Sequence, residues 1–219
     1  MKQLKAWEAL YRRNEHLSVW PWSDLVSHVM HHARPKPKTR VLELGCGAGA
    51  NIPFFLRLEA DYHAIEGSPT MAKRLHARFP ELENKIVSGD FTKDLAFDGR
   101  FDLIVDRASL TSNTTAAIER CLALVRSKLK PGGVFIGIDW YSTLCPEFAS
   151  AKALDANTRQ DFKTGPFAGL GTMHFSDEAH LRSLFRKFSL VALEHKTLDK
   201  AVPAGPRFAT WNLVARRPK

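Results

Sequence analysis

The chain has 219 residues, a formal net charge of +9 and 44% hydrophobic residues. At about 150 residues per domain, this length predicts one domain over residues 1–219, and the composition excludes a largely disordered chain. No stretch approaches the roughly 18 consecutive apolar residues of a membrane span, and three cysteines at unrelated spacings predict neither a disulfide framework nor a cysteine-based zinc site. We therefore expect a cytoplasmic protein without a metal.

The first 39 residues combine basic and aromatic side chains, and we predict that they form a helical lid segment. Three of the five tryptophans fall within the first 22 residues. A helix from about residue 3 to 16 would align Trp7, Leu10 and Tyr11 on one face. An amphipathic helix packed on the edge of a sheet has the same pattern, so the sequence leaves open whether the segment is mobile or part of the core.

From residue 40 the sequence alternates between short apolar runs and segments with helical spacing. Ser68 suits the N-cap of a helix and Pro69 its first turn. Repeated strand–helix units joined by short turns predict a parallel sheet with helices on both faces, in a cofactor-binding core over residues 40–140. Strands are predicted at residues 40–44, 62–66, 85–88, 101–106 and 134–138, and helices at 51–58, 69–79 and about 118–129.

The last part of the chain begins with a long irregular stretch, residues 141–175, that contains several prolines and glycines. A loop of this length in a compact domain is usually functional. We predict that it contributes to the substrate site and holds a short helix over residues 149–159. Strand candidates follow at 190–194 and 208–214 with no room for a helix between them, so they must pair antiparallel within a C-terminal segment over residues 176–219.

A glycine-rich turn, residues 45–49, separates the first predicted strand from the first helix. Glycine allows a tight turn here and lets a ligand approach the backbone closely. Residues 45–50 satisfy the dinucleotide-binding pattern Gly-x-Gly-x-x-Ala, and Glu66 falls roughly where a ribose-binding acid is expected. Three features oppose a dinucleotide as the ligand. A third glycine stands at position 49, the carboxylate of Glu43 would repel a pyrophosphate, and the chain is too short for an additional catalytic domain.

Five motifs, in this order and spacing, resemble those of the class I S-adenosylmethionine-dependent methyltransferases. They are Val-Leu-Glu-Leu-Gly-Cys-Gly-Ala-Gly at 41–49, Glu66 with Ser68 and Met71, Gly-Asp-Phe at 89–91, Phe-Asp-Leu-Ile at 101–104 and Leu-Lys-Pro-Gly-Gly at 129–133. The resemblance covers residues 41–133 and extends more loosely to Val214. It implies an α/β, three-layer, doubly wound fold: a mostly parallel seven-stranded sheet with an antiparallel last strand.

The resemblance also implies S-adenosylmethionine as cofactor, S-adenosylhomocysteine as product, and roles for individual residues. Glu43 would face the ammonium group of the cofactor, Glu66 would accept hydrogen bonds from both ribose hydroxyls, and Asp90 would accept one from the adenine amino group. Met71 would pack against the adenine face. The full predicted cofactor-binding set is Tyr11, Trp20, Glu43, Gly45, Cys46, Gly47, Gly49, Asn51, Glu66, Gly67, Met71, Gly89, Asp90, Phe91, Asp106 and Arg107.

The sequence indicates a small-molecule methyl acceptor that reacts through oxygen or nitrogen, and the basic charge is compatible with an anionic one. Residues 106–109 read Asp-Arg-Ala-Ser, where amino-directed nucleic-acid methyltransferases carry an Asn/Asp-Pro-Pro-aromatic motif. We interpret Cys145 as an ordinary loop cysteine. Two alternatives stay open: an RNA methyltransferase, whose binding would fall steeply with salt, and a non-catalytic cofactor-binding protein. The sequence does not indicate the oligomeric state.

A neutral hydroxyl or protonated amine acceptor must lose a proton, and a general base accelerates such a step by roughly 10²–10⁴-fold. We predict His174 as that catalytic base. It follows the glycine-rich stretch 169–173, which we expect to face the methyl end of the cofactor, and it precedes Ser176, the predicted N-cap of the next helix. No second ligand lies near it in the sequence to indicate a metal site.

Overall fold

A seven-stranded sheet with helices on both faces organises the protein. The computed structural model describes residues 2–219, with side chains from Lys5 onward. The helices are α1 (Lys2–Arg12), α2 (Ser23–His28), α3 (Ile52–Arg57), α4 (Pro69–Arg78), α5 (Thr115–Lys128), α6 (Pro146–Ser150) and α7 (Glu178–Leu184). The strands are β1 (Arg40–Leu44), β2 (Asp61–Glu66), β3 (Ile86–Ser88), β4 (Phe101–Arg107), β5 (Leu129–Tyr141), β6 (Lys152–Ala153), β7 (Thr158–Gln160), β8 (Met173–His174), β9 (Ser189–Leu198) and β10 (Phe208–Arg216).

The large sheet has the strand order β3-β2-β1-β4-β5-β10-β9. The first five strands of the chain run parallel to one another, and β10 is antiparallel to both of its neighbours, β5 and β9. This confirms the predicted fold, including the antiparallel pair at the end of the chain. The parallel arrangement brings the carboxyl ends of β1, β2 and β4 to one edge of the sheet, where ligands bind in open α/β sheets.

Apolar side chains of the central strands point alternately to the two faces of the sheet. In β4, Leu103 and Val105 pack in the cluster that includes α3 and α4, whereas Ile104 between them packs in the cluster that includes α5 and α7. Phe101, which a register shift separates from Leu103, also packs in the second cluster. All four side chains are fully buried. Burial on both faces explains why the centre of this strand, residues 103–105, is a continuous apolar run rather than an alternating pattern.

Two predicted helix N-caps have different outcomes in the structure. The Ser68 hydroxyl accepts a hydrogen bond from the Met71 backbone N–H at 3.1 Å, as predicted. The Ser176 prediction is wrong, because the side chain of Asp177 caps α7 instead. Ser176 still belongs to an extended segment, since it forms a bridge with Ser142. The helix therefore begins one residue later, at a residue type that caps equally well.

The helix predicted over residues 149–159 is also wrong. The short helix α6 ends at Ser150, and β6, β7 and β8 form a small antiparallel sheet. The Asp155 carboxylate accepts hydrogen bonds from the Asn157 backbone N–H at 2.9 Å and from the Thr158 hydroxyl at 2.8 Å. Such local bonds compete with helix formation. A third hydrophobic cluster, made largely by this segment, also contains Leu10 of α1.

Helix α1 packs on the rest of the protein rather than standing apart from it. Leu10 and Tyr11 are buried, and the Trp7 indole N–H donates to the Ser112 hydroxyl at 3.2 Å. The Glu8 carboxylate accepts hydrogen bonds from the hydroxyls of Ser68 and Thr70 at the start of α4. Within residues 2–219, no helix is both long and apolar enough to cross a membrane.

We predict that Glu8→Gln lowers the free energy of unfolding by about 1.5–3 kcal/mol at pH 7, the range for hydrogen bonds to charged groups. Burial alone would raise the pKa of Glu8, but hydrogen bonds from Ser68, Thr70 and Arg12 lower it to about 2. The stabilisation is therefore present above about pH 4.5 and is lost as the pH falls toward 2.

Urea unfolding of the wild type, Glu8→Gln and Glu15→Gln at pH 7 tests this prediction. Glu15 pairs with Arg13 at the surface, and an exposed pair of this kind contributes about 0–1 kcal/mol. Equal destabilisation by the two substitutions would show that Glu8 does not hold α1 in place.

Candidate cofactor and acceptor site

A cavity of about 330 Å³ lies at the carboxyl edge of the parallel strands, between the glycine turn and the N-terminal segment. Most of the predicted cofactor-binding residues meet there, although they come from distant parts of the sequence. The predicted residues that line the cavity are Tyr11, Glu43, Gly45, Cys46, Gly47, Asn51, Glu66, Gly67, Asp90, Phe91 and Arg107. Their convergence supports the view that this cavity is the functional site.

The remaining predicted residues, Trp20, Gly49, Met71, Gly89 and Asp106, lie outside the cavity wall. Trp20 is 80% exposed, and Trp22 lines the cavity in its place. Met71 is buried in the core cluster beneath α4, so this position does not support its expected contact with adenine. A Cβ atom on Gly49 would lie 2.7 Å from Leu75, which indicates that this glycine serves close packing.

Gly45 and Gly47 shape the cavity by adopting positive φ angles of 67° and 53°, a region that side chains other than glycine rarely occupy. A Cβ atom on Gly45 would lie 2.4 Å from the Ser109 hydroxyl, and one on Gly47 would lie 3.0 Å from the Tyr11 hydroxyl. The turn therefore requires glycine at both positions, and its bare backbone forms a cradle beside the cavity.

Glu66 ends β2 with its carboxylate facing the glycine turn. One oxygen accepts a hydrogen bond from the Gly47 backbone N–H and the other accepts one from the Ser68 backbone N–H, each at 2.8 Å. Burial raises the pKa of Glu66 to about 7, against the opposing effect of these two donors. A carboxylate fixed in this way can accept additional hydrogen bonds from paired hydroxyls that enter the cavity.

Glu43 contributes a second buried carboxylate to the cavity wall. Its oxygens accept hydrogen bonds from the Asn51 side-chain amide at 2.8 Å and from the Tyr62 hydroxyl at 2.6 Å. Burial raises the pKa of Glu43, while these two hydrogen bonds oppose that effect. Asn51, which the sequence analysis placed in the site, therefore orients Glu43 as well as lining the cavity.

Two aspartates that follow strands have different surroundings. Asp90 lines the cavity, and one of its oxygens accepts hydrogen bonds from the Thr92 backbone N–H at 3.1 Å and the Thr92 hydroxyl at 2.6 Å. Asp106 is fully buried, and it accepts hydrogen bonds from the Trp140 indole at 2.7 Å and the Leu110 backbone N–H at 2.9 Å. Its carboxylate therefore holds the loop after β4, which corrects the expectation that it lines the cofactor site.

His174 does not face the cavity as predicted. It lies in β8, fully buried, with Nδ1 at 3.2 Å from the Thr158 hydroxyl and Nε2 at 3.0 Å from Nε2 of His180. Burial, together with the neighbouring His180, lowers the pKa of His174 to about 3. A general base must reach the acceptor, so His174 is not placed to act as one, and the prediction is wrong.

Several cavity residues were not in the predicted set. The tryptophan-rich N-terminus gave a signal for Trp7 and Trp22, and the end of β5 could have indicated Tyr141. The additional lining residues are Trp7, His16, Leu17, Ser18, Trp22, Ala48, Ala50, Ala108, Ser109, Ser112, Asn113 and Tyr141. In the described part of the chain, no group of three or more His, Cys, Asp or Glu side chains is arranged to hold a metal.

Comparison with known proteins agrees with this geometry. The model of the methyltransferase domain family matches residues 41–133. An uncharacterised methyltransferase of Synechocystis sp. is 31% identical over 104 residues, which are 47% of this chain and 48% of that protein. A human thiol S-methyltransferase is 29% identical over 127 residues, which are 56% of this chain and 51% of that protein. The chain thus spans about half the length of these curated relatives.

A solved structure of an S-adenosylmethionine-dependent methyltransferase from Methanosarcina mazei has the same fold. It superposes with a TM-score of 0.67 at 15% identity and covers 91% of this chain and 99% of that one. Residues 41–133 therefore resemble a methyltransferase domain, and the surrounding sheet has the same Rossmann-like fold as that structure. The cofactor of this class is S-adenosylmethionine, a cation at sulfur and nitrogen, and the acidic residues Glu43, Glu66 and Asp90 in the cavity wall fit it.

Proposed function

We propose that the protein transfers a methyl group from S-adenosylmethionine to a small-molecule acceptor. The main support is the cavity itself, which is lined by the glycine turn, by Glu66 and by the aromatic side chains of Trp7, Trp22 and Tyr141. Its volume of about 330 Å³ is at the lower end of the usual range of about 300–1,000 Å³ for ligand sites. A site of this size favours a small acceptor over a folded nucleic acid.

Within this proposal, the chain's own residues orient the two reactants. Glu66 holds the ribose hydroxyls, Asp90 holds the adenine amino group and Glu43 faces the ammonium group. When bound, the cofactor supplies an electrophilic methyl group on a positively charged sulfur. The aromatic faces of Trp7 and Tyr11, whose ring centroids are 5.8 Å apart, can attract such a cation by about 0.5–2 kcal/mol. Alignment of the acceptor with the methyl group can supply about 7–11 kcal/mol of the barrier reduction.

Two further observations bear on the location and the acceptor. Cys46, Cys121 and Cys145 are all buried and unpaired, which supports a reducing, cytoplasmic location. The human relative is named for a thiol acceptor. We therefore add sulfur nucleophiles to the oxygen and nitrogen nucleophiles that the sequence indicated as candidate acceptor atoms.

A screen for S-adenosylhomocysteine production tests this function. The panel contains small carboxylic acids, phenols, amines, thiols and polar saccharides, with an RNA oligonucleotide at two salt concentrations as the rival acceptor. We expect turnover with a small molecule, and lower turnover with Glu66→Ala at a cofactor concentration near the dissociation constant of the wild type. Turnover on RNA alone would contradict the small-molecule assignment, and cofactor binding without turnover on any acceptor would favour the non-catalytic alternative.

A further inference from the structure

Arg107, the last residue of β4, presents free hydrogen-bond donors at the cavity. Its Nε and Nη2 lie 3.2 and 3.0 Å from the same oxygen of Asp139. The face of its guanidinium lies on the Trp22 ring, 3.6 Å from the ring centroid. Among the described residues, no protein acceptor takes the hydrogens on Nη1. Asp139 therefore holds one edge of the Arg107 guanidinium and Trp22 covers one face, while the edge that carries Nη1 stays available to a ligand.

The backbone around Arg107 is held in conformations that are rare for residues other than glycine. Asp139 has a φ of 57°, and Ala108 has a φ of 56°. The Asp139 backbone N–H donates to the Asn212 side-chain oxygen at 3.0 Å, beside a register shift in the pairing of β5 with β10. Irregular strand pairing and unfavourable φ angles concentrate at functional sites, where they direct a side chain. Here they direct Asp139 toward Arg107.

Tyr141, the last residue of β5, lines the same cavity and lies near enough to Arg107 to interact with it electrostatically, so its hydroxyl adds a second donor. Its ring is fixed by edge-on contacts with Phe167, at 4.7 Å between centroids, and with Phe208, at 6.1 Å. In the part of the chain that the structure describes, its hydroxyl has no hydrogen-bond partner. Burial raises the pKa of Tyr141 to about 12, so the hydroxyl keeps its proton and can donate it.

We propose that Arg107 and Tyr141 form a carboxylate-binding subsite and that the methyl acceptor, on the function proposed above, is a small carboxylic acid. Arginine is suited to this task because its planar donors match the geometry of a carboxylate. Asp139 also pairs with Lys196 at 3.4 Å, and Lys196 pairs with Asp24, so these four charges balance and the attraction for a carboxylate comes from the unpaired Nη1 donors of Arg107. The positive sulfur of a bound cofactor favours an anionic acceptor further.

The methionine end of the cofactor carries the same chemical group, so two sources of a carboxylate must be compared. Tyr141 lies outside residues 41–133, which match the methyltransferase domain, and its ring belongs to the cluster built by the 141–175 segment. Trp22, which covers Arg107, also lies outside that domain. The subsite therefore uses elements beyond the cofactor-binding core, which favours the acceptor as its occupant, and Arg107 is thereby reassigned from the predicted cofactor-binding set to the acceptor.

Calorimetric titration of benzoate into the protein saturated with S-adenosylhomocysteine tests the subsite, with benzamide as the neutral probe of the same shape. We expect benzoate to bind at least about tenfold more tightly than benzamide. Arg107→Gln should weaken benzoate binding at least about tenfold, Arg107→Lys less so, and Tyr141→Phe severalfold. Arg57→Gln, at an exposed arginine of α3, serves as the matched control and should leave benzoate binding unchanged.

The affinity for S-adenosylhomocysteine itself, measured in the same variants, separates the two sources of the carboxylate. We expect Arg107→Gln to leave it within about twofold of the wild type. A loss of cofactor affinity equal to the loss for benzoate would assign the subsite to the cofactor and overturn the acceptor assignment. Absence of benzoate binding to the wild type, or equal binding of benzamide, would also overturn it. If the wild type binds benzoate but no S-adenosylhomocysteine, the subsite stands and the proposed function fails.

Discussion

Replacing Glu66 with alanine is expected to weaken S-adenosylmethionine binding by about 1.5–3 kcal/mol, the range for hydrogen bonds to a charged group. This corresponds to roughly 10- to 150-fold in the dissociation constant. The reason is that Glu66 ends β2 in the cavity wall, where its carboxylate is fixed by the Gly47 and Ser68 backbone N–H groups. Because the side chain stands at the end of a strand, the sheet should still form.

Titration calorimetry of the wild type, Glu66→Ala and Glu83→Ala measures this effect. Glu83 is exposed and lies outside the cavity, so its removal should leave cofactor affinity unchanged. Affinity of Glu66→Ala equal to that of the wild type would refute the ribose assignment.

The pH dependence of cofactor binding provides an independent check on Glu66. Burial raises its pKa to about 7 in the free protein, and the ionised carboxylate is the form that accepts hydrogen bonds from both hydroxyls. Cofactor affinity should therefore rise from pH 6 to pH 8 and should be lost as the pH falls below about 7. In Glu66→Gln the rise in cofactor affinity between pH 6 and pH 8 should be absent.

The sequence predicted those features of the fold that depend on local patterns. Short apolar runs such as residues 103–105 identified parallel strands, because a strand buried on both faces needs apolar side chains on both. The glycine turn was recognisable because positive φ angles at Gly45 and Gly47 restrict the choice of residue. The cap at Ser68 likewise depends on atoms only three residues apart.

The errors arose where the partner of a side chain is distant in the sequence. Asp106 looks like a free carboxylate at the end of a strand, but the Trp140 indole, 34 residues away, donates to it. Tyr141 was left in a loop because β5 extends further than its apolar run, through pairing with β10. Local chemistry also misled the prediction over 149–159, where Asp155 forms a turn instead of a helix.

His174 shows most clearly that tertiary contacts decide whether a histidine has a catalytic or a structural role. The Thr158 hydroxyl donates its hydrogen to Asp155 at 2.8 Å, so it accepts one from Nδ1 of His174. Nε2 of His174 then carries no proton and accepts one from His180 at 3.0 Å. Burial, together with the neighbouring His180, opposes protonation of His174. The histidine is therefore held neutral as part of the structure.

This arrangement predicts a stability that depends on pH through His174. Its pKa is about 3 in the folded protein, lowered by burial and by His180 against the opposing effect of Asp155, and about 6.5 in an unfolded chain. Below pH 6.5 the unfolded state therefore binds a proton that the folded state excludes. The stabilisation is fully present above that pH and is lost by about 1.4 kcal/mol for each pH unit below it.

Urea unfolding of the wild type and His174→Asn between pH 8 and pH 5 measures this loss, because asparagine can still donate to Thr158 but cannot titrate. Glu66 and Asp106 have raised pKa values of about 7, so their contributions to the free energy of unfolding grow as the pH falls. These contributions cancel in the difference in the free energy of unfolding between the two proteins. We expect the advantage of the wild type to be largest at pH 8 and to shrink steadily below pH 6.5. Met173→Ala removes a fully buried neighbour without a titratable group, so its deficit should be the same at every pH. A constant deficit for His174→Asn as well would show that His174 carries the same charge in the folded and unfolded states.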